Sequence, residues 1–246
     1  MTDTDSRRQP DGIDLNADLG EGYPNDARLL ALVTSASVCC GAHAGDRATI
    51  LATLREAQAQ GVAVGSHPGY PDRENFGRRE QTMRPEAVTS LIVEQHRELA
   101  RLAAECGLIL RFVKPHGALY NQAQNEPRVA VGVLAAVEEL GLPVLGQPGG
   151  LLAMMARKLG LRCVAEGFPD RRYEPDGRLV PRSRADAVLH DPAEVESQVV
   201  RLVGEGLETL CIHGDHPDAV RNAACVRDIL QRHAIAPRFW AGREES

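Results

Sequence analysis

Four histidines, His43, His67, His116 and His213, stand in the same relative place, each at or just past the end of a short apolar run. Imidazole changes charge near neutral pH and acts as acid, base or metal ligand, so four at one rim can carry protons or hold an ion. The densest acidic cluster is Asp14, Asn16, Asp18 and Glu21. Positions 14, 16 and 18 share a face of an extended strand, because side chains alternate with period two. Two carboxylates and an amide converging on one spot suit a hard cation, or a general base held by hydrogen bonds. Lys114 is one of only two lysines in a set of 28 basic residues. A lysine kept where arginine is the habit points to a compact ammonium that neutralises a phosphate or polarises a carbonyl. Arg73, Arg78, Arg79, Arg171 and Arg172 crowd two long polar segments, and guanidinium forks match an anionic substrate or a nucleotide.

Each signal also has a plainer explanation. Asn16 and Asp18 can cap a turn, a lone histidine is often just hydrogen-bonded, Lys114 can pair with a rim acid, and arginines can lace loops together. Cys40, beside Gly41 and His43, is a conceivable thiol nucleophile, although strand packing accounts for it equally well.

Residues spaced this way need a scaffold that brings them to one edge. Continuous apolar runs at 12–15, 36–40, 63–65, 110–114, 144–147, 162–166 and 209–213 read as strands buried on both faces. Helical spacing marks 46–60, 85–106, 127–140, 151–159, 192–203 and 218–233, and four of these stop at a glycine (Gly61, Gly107, Gly141, Gly160). About seven strand-helix units with no internal linker imply an α/β fold, a (β/α) barrel-like closed sheet ringed by helices. An open doubly wound sheet has the same grammar, but no G-x-G-x-x-G follows the first strand. The carboxyl edge of such a sheet is where active sites are built. Segments 70–82 and 168–189 are long and unpatterned, as binding loops are. Residues 1–12 read as a flexible tail and 13–246 as a single catalytic domain.

A formal charge of −6 argues against a nucleic-acid partner. No apolar stretch reaches the roughly 20 residues that span a bilayer, so no membrane association is expected. The first dozen residues lack the apolar core of a secretory signal, and six scattered cysteines without a CxxC pair fit a reducing, cytoplasmic setting. There is no G-x-x-x-x-G-K-[ST] loop, no G-x-S-x-G elbow, no H-E-x-x-H helix and no zinc ribbon. Backbone amides at 41–45 or at Gly149-Gly150 are candidate anion sites.

Six ordered motifs then carry a resemblance. Asp-Leu-Asn-Ala-Asp-Leu-Gly-Glu from Asp14, Cys-Gly-Ala-His-Ala-Gly-Asp from Cys40 and His-Pro-Gly-Tyr-Pro-Asp-Arg from His67 come first. Val-Lys-Pro-His-Gly from Val113, Phe-Pro-Asp-Arg-Arg-Tyr from Phe168 and His-Gly-Asp-His-Pro from His213 follow. Together they resemble the LamB/YcsF family over nearly the whole chain. The resemblance implies a barrel of the glycoside hydrolase/deacetylase type. It also implies a 5-oxoprolinase activity: ATP-dependent opening of 5-oxo-L-proline to L-glutamate, performed with partner subunits B and C.

Carried over by motif, the expected catalytic residues are Asp14, Asp18, His43, His67, Lys114, His116 and His213. Asn16, Glu21, Arg73, Asp170, Arg171 and Asp215 are expected to bind substrate or nucleotide. ATP is the implied co-substrate, and a divalent metal is possible, with its ligands unassigned. The alternative function is a divalent-metal hydrolase such as a carbohydrate deacetylase, with Asp14 or Asp18 and His43 and His67 as ligands. A non-catalytic binding scaffold is a third reading. The chain departs from the family pattern at Ser37, Ala42, Arg47, Gly69 and His216, and the small Ala42 and Gly69 are expected to widen the pocket.

Overall fold

The computed structural model describes residues 12–174, 177–180, 184–215 and 217–242. Residues 1–11 of the expected tail, and His216, lie outside these, and Gly12 already belongs to the first strand. Seven parallel strands form the sheet: β1 (Gly12–Leu19), β2 (Ser35–Cys39), β3 (Ala63–His67), β4 (Leu110–Val113), β5 (Val144–Gly146), β6 (Cys163–Gly167) and β7 (Thr209–His213). β1 pairs with β2 on one side and β7 on the other, so the sheet closes into a barrel. A two-residue β8 (Ala236–Pro237) pairs with Gly12 and Ile13 at the start of β1.

Around the barrel run α1 (Asp26–Leu30), α2 (Arg47–Gln60), α3 (Pro85–Glu105), α4 (Gly117–Ala123), α5 (Pro127–Leu140), α6 (Leu151–Leu159), α7 (Pro192–Gly204) and α8 (Ala219–Arg232). Their local signals are physical ones. The Asp46 side chain accepts the Thr49 amide at the start of α2, and Gly61, Gly141 and Gly160 close α2, α5 and α6 in the left-handed conformation. Short α1 and α4 are additions to the expected set, because five or seven residues show too little of a 3.6-residue period to be read.

The outward-facing residues of the strands (Leu15, Val38, Val64 and Leu210) pack against helix stripes that include Leu54, Leu99, Leu202 and Ile229. Inside, the barrel divides into two halves. At its amino end Phe112, Leu145, Val164 and Trp240 make an apolar floor. Gly65 lies beside that floor, where a Cβ would come within 2.3 Å of the Phe112 ring. Toward the carboxyl ends the interior is polar, with Asn16, Asp18, His67, Lys114 and Glu166 all buried.

One expectation changes here. The strand expected at 12–15 is longer: β1 continues to Leu19 and carries Asp14, Asn16 and Asp18, the residues expected to share a face, on its inner side. Polar side chains are stable there because neighbouring strands offer them hydrogen-bond partners inside the barrel.

Candidate active site

Asp14 is the deepest of the three β1 groups and is fully buried. It accepts hydrogen bonds from the hydroxyls of Thr34 (2.6 Å), Ser35 (2.8 Å) and Thr209 (2.5 Å). Burial raises its pKa from 3.8 to about 6 against those three donors. Its oxygens thus tie β1 to β7 and to the start of β2, and it does not line the pocket.

Two residues further along β1, Asn16 donates to Glu166 (3.2 Å) and Thr209 (2.7 Å). Its amide oxygen lies 3.3 Å from Lys114 Nζ. Lys114 is the hub of this layer. Its ammonium lies 2.8 Å from Asp18 Oδ1, 2.8 Å from Glu166 Oε1 and 3.0 Å from Cys211 Sγ. Burial alone would discharge the lysine, but the charges of Asp18, Cys211 and Glu166 raise its pKa well above the ordinary range. Burial would likewise raise Asp18, yet the charges of His67, Lys114 and His213 hold its carboxyl well below the usual carboxylate range.

Above Lys114 sits a histidine group. His67 Nδ1 lies 2.7 Å from the Lys114 carbonyl and His116 Nε2 lies 2.8 Å from the Phe76 carbonyl. His67 Nε2 and His116 Nδ1 face each other at 3.0 Å. Glu21 lies behind them, 3.3 Å from His43 Nε2 and 3.5 Å from His116 Nδ1. Burial pushes Glu21 up to about 8, and pushes His43 and His116 down to about 4.

The pocket above these groups has a volume of about 820 Å³, within the usual range for a small-molecule site. Of the expected residues, Asp18, His67, Lys114, His116, Arg171 and His213 line it. The two long loops contribute Arg78, Arg171 and Leu179 to its walls. Asn16, Glu21 and His43 stand behind that lining. Arg73 points elsewhere and donates to the carbonyls of Gly41, Ala44 and Gly45, holding the β2 loop in shape. Asp215 pairs with Arg78 at the mouth, and Asp170 lies outside the lining residues. Gly69 does not widen the pocket: a Cβ there would come within 2.7 Å of His43 Nδ1, so the space beside it holds the His43 ring. Cys39 and Cys40 are thiols that burial keeps protonated, which fits packing rather than nucleophilic attack.

Glu166 is absent from the expected site, although it is the second carboxylate on Lys114. Its signal is a lone acid ending an otherwise apolar strand, directly before the Gly167-Phe168-Pro169-Asp170 motif. Tyr120, from the helix that opens directly after the Val-Lys-Pro-His motif, also lines the pocket, as do Gln124 and Gln147.

Donors able to hold a divalent ion come together twice among the described residues, as Asp18-Cys211-His213 and as Glu21-His43-His116. The first already embraces the Lys114 ammonium, which repels a second cation. In the second, the His43 and His116 rings are stacked at 3.8 Å with planes 2° apart. Imidazole lone pairs lie in the ring plane, so these two rings cannot both aim at a single ion. Residue groups able to hold a divalent ion are nonetheless present, and the metal-hydrolase alternative is compatible with them without being favoured over the lactam reading.

Comparison with known proteins agrees with the motif resemblance. The model of the LamB/YcsF family matches residues 13–243. A 5-oxoprolinase A subunit of Pseudomonas syringae pv. tomato is 40% identical, over 94% of this chain and 98% of its own length. The 5-oxoprolinase A subunit of Methylococcus capsulatus is 43% identical, over 91% and 94% respectively. The crystal structure of a lactam utilization protein from Thermus thermophilus superposes with a TM-score of 0.86 at 39% identity, covering 92% of this chain and 99% of that one. A family 4 carbohydrate esterase from Streptomyces lividans shares the fold at a TM-score of 0.50 and 11% identity, over 92% and 91%.

Proposed function

Since this chain belongs to the LamB/YcsF family, we propose that it is the A component of an ATP-dependent 5-oxoprolinase, which opens 5-oxo-L-proline to L-glutamate. The observation that carries the reading is the Lys114 ammonium, buried at the pocket floor between Asp18 and Glu166 and roofed by histidines. A lactam amide is a poor electrophile, and what it needs is a fixed positive charge where negative charge develops, in a site shielded from bulk water.

In the proposed reaction ATP phosphorylates the lactam oxygen. Water then attacks the activated ring carbon, the C–N bond breaks, and a second water releases phosphate from the resulting acyl phosphate. Lys114, with Arg171 and Arg78 from the loops, stabilises the phosphoryl and oxyanion charge. Asp18, held ionised beside Lys114 and 3.6 Å from His67 Nε2, is placed to orient the water, and a rim histidine takes the water's proton. Both curated relatives are named as A subunits, which supports the existence of partners, and we assign these as the B and C subunits. All six cysteines are unpaired, and we place the protein in the cytoplasm. No helix among the described residues is long and apolar enough to cross a membrane.

The test is glutamate release from 5-oxoproline and ATP, measured with this protein alone and mixed with candidate B and C subunits. Glutamate formed only in the full mixture supports the assignment. No glutamate from B and C preparations that are active with another family member in the A position overturns it.

A further inference from the structure

The stretch Glu74-Asn75-Phe76-Gly77, between Arg73 and Arg78, has no task in the proposed reaction, yet its backbone is unusual. Among the described residues only Phe76 and Ala234 have a positive φ without being glycine, and Phe76 takes φ 55° and ψ 36°. A bulky side chain seldom adopts this left-handed conformation, because its Cβ crowds the following carbonyl. It persists where surrounding contacts impose it, and such residues gather at active sites. Gly77 follows in the same conformation, at φ 63°. A Cβ there would lie 2.9 Å from His43 Cβ and 3.1 Å from His116 Cδ2, so the turn is pressed against both rings.

The bend points the Phe76 carbonyl at His116 Nε2, 2.8 Å away. It also sets the Phe76 ring among His43, His116 and Tyr23, with centroids 5.8, 5.4 and 6.0 Å apart. The Arg78 guanidinium lies over that ring, 4.9 Å from its centroid. Arg78 lines the pocket and Phe76 does not. The Arg78 side chain is 46% exposed where it pairs with Asp215. An ion pair that open to water has little hold on a long side chain, whereas an aromatic face adds a second, orienting attraction.

We propose that Phe76 is a positioning residue: its ring holds the Arg78 guanidinium at the pocket mouth, and its left-handed backbone keeps that ring in place. The benefit to turnover rests on the function proposed above, in which Arg78 stabilises phosphoryl charge. The holding of Arg78 is a property of the free protein and is tested there.

The first measurement is ¹⁵N relaxation at Arg78 Nε in the isolated protein, for wild type, Phe76→Tyr and Phe76→Leu. Leucine keeps apolar bulk but has no π face. Wild type and Phe76→Tyr should give order parameters of about 0.8, and Phe76→Leu a value below about 0.6. Equal order in all three overturns the proposal, whether or not the glutamate assay succeeds. The backbone is read by two variants that both delete the ring. Phe76→Gly should melt a few degrees above Phe76→Ala, since only glycine takes this conformation freely; equal melting temperatures remove the strained backbone from the account.

In the complete enzyme, Phe76→Leu should lower kcat roughly tenfold with the KM for 5-oxoproline unchanged, the pattern of an interaction made only in the transition state. In an Arg78→Gln background the same change should alter kcat less than about twofold. A further tenfold loss there, or a wild-type kcat per folded molecule in Phe76→Leu alone, overturns the role in turnover.

Discussion

Lys114 and Asp14 are both buried charges on the inner barrel wall, and they do different work. Lys114 is a positive centre aimed at the pocket and offset by two carboxylates. Lys114→Met leaves Asp18 and Glu166 without their cation. Breaking a buried pair in this way costs about 3–5 kcal/mol, read by urea unfolding, and glutamate formation by the complete enzyme should fall roughly 10²–10³-fold. Asp14 instead ties strands together through three hydroxyls. Its pKa is raised by burial from 3.8 to about 6, so the folded protein binds that proton more tightly than the unfolded chain. The resulting stability is fully present below about pH 4 and is lost as pH rises through about 6. Relative to Asp14→Asn, wild type should therefore lose about 3 kcal/mol between pH 4 and pH 7. Parallel stability curves for the two proteins would contradict this.

The strands supply the two faces that make such chemistry possible, and β8 with the segment after it closes the opposite end. Trp240 packs with Phe112 and Phe239 beneath the polar layer. It is far along the barrel from the pocket lining. Trp240→Ala should cost about 3–5 kcal/mol, seen as a lower melting temperature, while the rate per folded molecule stays near wild type. A large loss of rate in the folded fraction would mean that the floor also positions the rim. The strand ends are readable from the sequence to within a residue or two for most of the barrel, and α5, α6 and β7 match their expected bounds. β1 reads short because a strand with Asp, Asn and Asp on one face does not look buried until a closed barrel provides partners for them.

For the whole molecule, a pocket of about 820 Å³ in this chain predicts that the lactam binds here even without partner subunits. At a hundred times its dissociation constant, 5-oxoproline should stabilise the isolated protein by about 2.7 kcal/mol, giving a rise of several degrees in melting temperature; no shift would place lactam binding in a partner. The sequence alone determined the barrel, because repeated apolar runs, helical stripes and glycine stops are local properties of the chain. Its ordered motifs also named the family and most of the rim, including Asp18, His67, Lys114, His116 and His213. Tertiary structure decided how those groups divide the work. Closing the sheet set Glu166 of β6 against Lys114, which follows β4, sealed Asp14 among hydroxyls, turned Arg73 to loop carbonyls and brought His67 within 3.0 Å of His116. Spacing along a chain fixes which face a side chain takes, but its charge and partners depend on residues that are distant in sequence and adjacent only in the folded barrel.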